Sequence, residues 1–161
     1  MTSPARSTLF TAIFVGLLMS FSPAGAENAT PFAGTKVIPT KQGFKELWNR
    51  LESAIQANRM GIVGRASASS GAKSQGFDIP GNAVVMVFRN DFARRMLAAS
   101  VPAGIEAPLG IYITENADGT ATLTYRTPSS VFGPYESPGL DAMAGELDTI
   151  FGKIVSDTIG R

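Results

Sequence analysis

Four carboxylates, Asp78, Asp91, Glu106 and Glu136, lie in stretches that read as loops or the edges of loops. A pair of carboxyl groups roughly 5 to 9 Å apart can carry out glycosidic hydrolysis. Sequence spacing does not bring any two of these four together, so a carboxylate hydrolase ranks behind the binding readings below. The 161-residue chain contains no histidine and no cysteine. That excludes Ser-His-Asp triads, Cys-His pairs and thiolate nucleophiles. It also excludes zinc, copper and haem sites built on imidazole or thiolate. An all-oxygen calcium or magnesium site survives in principle, but no D-x-D-x-D-G loop is present. No metal and no cofactor is expected.

Recognition is better served than catalysis. Arg89 and Asn90 stand where an apolar strand ends and a helix begins, and Pro108 opens a later strand. Free N–H groups at a helix start, beside a guanidinium, suit a small anion. The expected ligand site joins Arg89, Asn90 and Pro108 with the loop from Gly76 to Gly81. The plainer reading is that Asn90 only caps the helix and Arg89 only pairs with Asp91 or Glu106. A second candidate is a homodimer surface on the outer face of a hairpin, formed by Tyr112, Thr122, Thr124 and Arg126. Its plainer counterpart is a solvated sheet face.

The elements that must position these residues follow from periodicity. Lys36 to Pro39 reads as a first strand. From Gly43 to Arg59, Phe44, Leu47, Trp48, Leu51 and Ile55 recur at helical spacing and predict one buried stripe, with Trp48 in the core. Gly61 is placed to close that helix in a left-handed cap. Ile62 to Ala66 is a strand. Ser67 to Gly81 is a Ser- and Gly-rich loop with room for one helical turn near Ala72. The unbroken apolar run Ala83 to Phe88 predicts a central strand buried on both faces.

Asn90 is then expected to cap a short helix with Phe92, Met96 and Leu97 inside, ended by Pro102. Leu109 to Thr114 and Ala121 to Arg126 alternate around Asp118-Gly119 and predict a hairpin. The register that pairs Ile113 with Leu123 sets Ile111 opposite Tyr125 and Tyr112 opposite Thr124. Thr127 to Ser137 is irregular. Ser137-Pro138 starts a last helix with Leu140, Met143, Leu147, Phe151 and Ile154 inside. Close packing against a sheet or a partner would explain Gly145 and Gly152 on one side of it. The order β-α-β-β-α-β-β-α predicts an α+β fold, a two-layer sandwich with a mixed sheet and helices packed on one face.

The first 26 residues read as an address. Arg6 is followed by an apolar run, Leu9 to Phe21, and by Ala24-Gly25-Ala26. That is the order of a cleavable signal peptide cut after Ala26, with export to the periplasm or medium. A stretch of 13 residues falls short of the about 20 that span a bilayer, so no membrane is expected for the mature form. Residues 27–35 would form a flexible lead and 36–161 a single domain. Loss of Arg6 leaves 13 basic against 13 acidic residues. A neutral mature chain does not suit nucleic acid.

Several stretches together resemble the domain of unknown function 302 family, DUF302, with its TT1751-like α/β fold. They are the helix Phe44 to Ala57, the strand end Phe88-Arg89-Asn90, the strand Ala107-Pro108-Leu109 to Glu115, and the return Gly119 to Pro128. The resemblance spans roughly residues 36 to 155 and implies dimerisation, but no established reaction. Many members carry His or Cys at three places where this chain reads Arg65-Ala66-Ser67, Arg89-Asn90-Asp91 and Pro108-Leu109-Gly110. The resemblance therefore transfers no metal or redox role. The function expected is a small-ligand binding or sensing module, with a homodimerising interaction protein as the alternative.

Overall fold

The computed structural model describes residues 32–160. The expected signal peptide, its cut after Ala26 and residues 27–31 of the lead lie outside the described residues. Phe32 to Gly34 form a turn, closed by the Thr35 N–H donating to the Phe32 carbonyl. It leads into β1 (Thr35–Pro39), followed by α1 (Phe44–Ala57), β2 (Gly61–Ala66), α2 (Ala68–Ser74) and β3 (Asn82–Phe88). Next come α3 (Asn90–Ala99), a 3-10 turn (Pro102–Glu106), β4 (Leu109–Glu115) and β5 (Ala121–Arg126). The chain ends with α4 (Pro128–Phe132), a second 3-10 turn (Gly133–Tyr135) and α5 (Pro138–Ile159).

The strands form one sheet in the order β1-β5-β4-β3-β2. The α+β sandwich is as expected, but the sheet is not mixed: every pairing is antiparallel. β1 and β2 do run the same way. They occupy opposite edges, with three strands between them. The hairpin register is the expected one, with Ile113 opposite Leu123, Ile111 opposite Tyr125 and Tyr112 opposite Thr124. Gly119 takes a φ of 80° in its turn, a conformation that suits glycine.

The core lies on one face of the sheet. Val85, Val87, Ile111, Ile113 and Leu123 point into it and are buried. They meet Leu47, Leu51 and Ile55 of α1 and the full α5 stripe Leu140, Met143, Leu147, Phe151 and Ile154. Burying each large side chain contributes about 1.5–3 kcal/mol, which lets the domain stand without disulfides. Along β3 the residues alternate between buried and half-buried. The expectation that both faces are buried does not hold, because no described element of the core covers Val84 and Met86.

Four local features differ from expectation. Gly61 does not cap α1; it is the first residue of β2. The left-handed position is Arg59, with φ 58°. Arg59 and Met60 donate backbone N–H bonds to Gln56 and Ile55, both 3.0 Å, the double closure of a Schellman turn. Asn90 is not the cap of α3; it is already helical, and Arg89 is the cap residue, with no side-chain cap bond. Leu97 points outward at 46 % exposure, because only Phe92 and Met96 of α3 reach the core. Within the chain nothing packs closely on Gly145 or Gly152, since a Cβ at either would meet nothing within 4 Å.

Trp48 is half-buried against the core, edge-on to Phe44 with ring centres 5.6 Å apart. Its indole N–H donates to Glu52 at 2.6 Å. The same carboxylate accepts two bonds from Arg65 of β2, at 2.6 and 2.8 Å. This network ties α1 to an edge strand. It holds the Glu52 carboxyl below its usual range, chiefly through the Arg65 bond.

Candidate functional site

The end of β3 and the start of β4 are neighbours, because Val87 pairs with Leu109. That brings Arg89 and the Ala107-Pro108 segment to one end of the sheet, as expected. The Gly76–Gly81 loop does not join them. It precedes Asn82, at the other end of a seven-residue strand, and so lies about 20 Å away at about 3.3 Å per residue. Gly81 serves packing instead: a Cβ there would lie 2.7 Å from the Phe44 ring.

Arg89 is engaged locally. Its guanidinium donates to both carboxylate oxygens of Asp91, at 2.7 and 3.0 Å. It also lies over the Phe92 ring, 4.2 Å from the centroid. Arg95 approaches the same ring at 5.3 Å while pairing with Glu146 of α5. The Arg89 bond holds the Asp91 carboxyl below its usual range. Its charge is thus balanced in place, the outcome of the plainer reading, which removes the argument for a free anion. Asn90 and Pro108 are exposed.

Beneath Arg89 lies a cleft of about 30 Å³. Phe88, Arg89 and Ala93 stand half-buried at its lining, which is open to solvent on one side. Its depth is apolar. Val87 and Leu109 contribute from the sheet, Phe92 from α3, Phe132 from α4 and Leu147 from α5. Three methionines also reach it: Met60 from the turn after α1, Met96 from α3 and Met143 from α5. All three are at least 95 % buried. Only Arg89 of the three expected ligand residues lines the cleft.

Nothing in the spacing of the sequence groups these methionines. Met96 and Met143 read as ordinary stripe residues, and Met60 as the end of a helix. The usable signal is one of count. The described residues hold four methionines, and three of them line this one cleft.

The four candidate carboxylates do not converge there either. Asp91 is held by Arg89, and Glu106 accepts the Tyr135 hydroxyl at 3.0 Å. Glu136 follows the second 3-10 turn with φ 49°. Among the described residues no three acidic side chains gather in a way that could hold a metal ion.

The family's sequence profile, described as Domain of unknown function DUF302, matches residues 36–157. The chain belongs to the DUF302 family. A crystal structure of an uncharacterized conserved DUF302 protein from Bacillus stearothermophilus has the same fold, with a TM-score of 0.69. The two are 17 % identical, over 78 % of this chain and 98 % of that one. No curated protein matches the chain significantly. Membership in DUF302 thus accounts for the antiparallel sheet and its covering helices. The cleft and its methionines are properties of this chain's own residues.

The second candidate surface is the sheet face opposite the core. Tyr112, Thr122, Thr124 and Arg126 share it, since Tyr112 pairs with Thr124, and Thr122 and Arg126 are two residues to either side of Thr124. The row continues to Val37 on β1 and Val84 on β3. Met86 lies between Gly110 and Gly64, and a Cβ on Gly64 would sit 2.9 Å from its sulfur. Met86 thus occupies the space that a side chain at Gly64 would take. Val37 and Tyr112 are 48 and 40 % exposed. Among the described residues no helix is long and apolar enough to cross a membrane.

Proposed function

We propose that this DUF302 protein is a small-ligand binding module whose ligand enters the cleft beneath Arg89. The observation that carries the reading is the cleft itself, apolar in depth and set where Arg89 and Ala107 come together. Ligand sites are typically concave and apolar, with few polar groups at the rim. Here the rim group is the Arg89–Asp91 pair. A volume of about 30 Å³ takes one or two groups the size of a water molecule. Sugars and nucleotides are too large, and methionine side chains adapt their shape to a compact guest. The order of the first 26 residues supports a site of action outside the cytoplasm, which the mass of protein recovered from an exported fraction checks.

Xenon, followed through the ¹³C-labelled methionine methyl signals, tests the cleft. Met60, Met96 and Met143 should shift with xenon pressure while Met86 does not, and Ala93→Leu should abolish the shift. Unshifted signals, or a response centred on Met86, overturn the reading.

The uncovered sheet face favours a second, compatible reading, self-association. Arg126 is the one charged side chain among the outward positions of β1, β3, β4 and β5, so two copies can meet without strong repulsion. Five strands about 4.8 Å apart and about 20 Å long present roughly 400–500 Å² in projection. Side-chain relief brings that toward the ~800 Å² per partner of a standard interface.

A further inference from the structure

We infer that the cleft is a thioether site for a soft monovalent metal ion, copper(I) or its analogue silver(I). The inference rests on the reading of the cleft as the binding site and names the chemical class of its ligand.

The donor set carries the argument. Met60, Met96 and Met143 come from three separate elements and line one cavity. A thioether is a soft neutral donor, and soft sulfur ligands select copper(I) over hard cations. Three neutral donors in an apolar setting offer no compensation for the desolvation of a divalent ion. A weakly hydrated monovalent ion loses less. The volume of about 30 Å³ accommodates a single ion. The rest of the depth, with Val87, Phe92, Leu109, Phe132 and Leu147, supplies no oxygen or nitrogen side-chain donor. Arg89 at the rim is balanced by Asp91, so the entrance does not present an unpaired cation to an incoming one.

The backbone favours convergence as well. Met60 is held at the end of α1 by its N–H bond to Ile55. Met143 and Leu147 lie one turn apart on α5, so the same helix face supplies a donor and a wall. Methionine has three rotatable side-chain bonds, which lets sulfurs on fixed elements turn toward a common centre. The absence of histidine and cysteine from the chain leaves thioethers as its only soft donors.

The test is anaerobic titration of the purified protein with copper(I) against a bicinchoninate or bathocuproine competitor, with native mass spectrometry for stoichiometry. One copper(I) per chain is expected, with sulfur as the sole near shell in X-ray absorption. Leucine is close in volume to methionine, so Met→Leu changes should keep the fold, which circular dichroism verifies. Met60→Leu, Met96→Leu and Met143→Leu should each weaken binding at least tenfold. The triple variant, which retains Met86, should lose it. Met86→Leu should leave it unchanged. No binding by the wild type, or persistent binding by the triple variant, overturns the inference. If copper(I) fails while xenon still shifts the three methyl signals, the metal class falls and the cleft stands. If both fail, both fall.

Discussion

The backbone N–H of Met60 donates to the carbonyl of Ile55 at 3.0 Å, and the residue between that bond and the helix, Arg59, is held at φ 58°. A left-handed conformation costs a side chain roughly 1 kcal/mol that glycine does not lose. Arg59→Gly should therefore stabilise the protein by about 0.5–1 kcal/mol, read as a higher urea midpoint with an unchanged slope. A lower midpoint would mean that the arginine side chain makes a contribution larger than the strain.

Gly145 and Gly152 face open space on α5. Glycine inside a helix costs about 1 kcal/mol relative to alanine. Gly145→Ala and Gly152→Ala should each raise the unfolding free energy by up to that amount, additively, since the two lie seven residues apart. Thermal melts of the single and double variants check it. A destabilised variant would reveal a partner packed on this side of the helix.

Glu52 titrates below its usual range because Arg65 and Trp48 donate to its ionised form. A depressed folded value means its stabilising share is present above the unfolded value, about 4.3. That share is lost as pH falls through the folded value. Urea midpoints should therefore decline as the pH falls below the unfolded value of about 4.3. Glu52→Gln should be less stable than wild type at pH 7 and lose less on acidification. Parallel curves for the two proteins would remove Glu52 from the acid response.

Light scattering decides the self-association of the sheet face. A mass of two chains is expected for the wild type and of one for Tyr112→Glu. Val37→Glu, on the same row of the face, should act likewise. A dimer that survives both changes assembles through another surface.

The sequence alone made the short-range order legible, and the reason is periodicity. The α1 and α5 stripes and the hairpin register were set by spacings of three to four and of two, and the structure reproduces them. What spacing does not carry is which strands become neighbours. Lys36 to Pro39 reads as a strand equally well beside β2 or, as found, beside β5, so a sheet expected to be mixed is antiparallel. The candidate site shows the same division. Arg89 and Pro108 share one end of the sheet because β3 and β4 pair. The Gly76–Gly81 loop lies at the opposite end of β3, which spacing in the sequence does not show. Met60, Met96 and Met143 are far apart in sequence and look like ordinary core residues, so only the packing of three elements reveals a shared cleft.

The pairing of β1 with β5 sets a schedule for folding. Thr35 finds its partner at Arg126, and among the described residues β1, as an edge strand, has no second neighbour. A chain emerging from the ribosome must therefore keep Val37 and Ile38 waiting until nearly four fifths of it has been made. Such long-range closure is slow, because loop entropy is lost before the contacts form. During that interval the first strand is bare, and whatever handles the unfinished chain meets it there first.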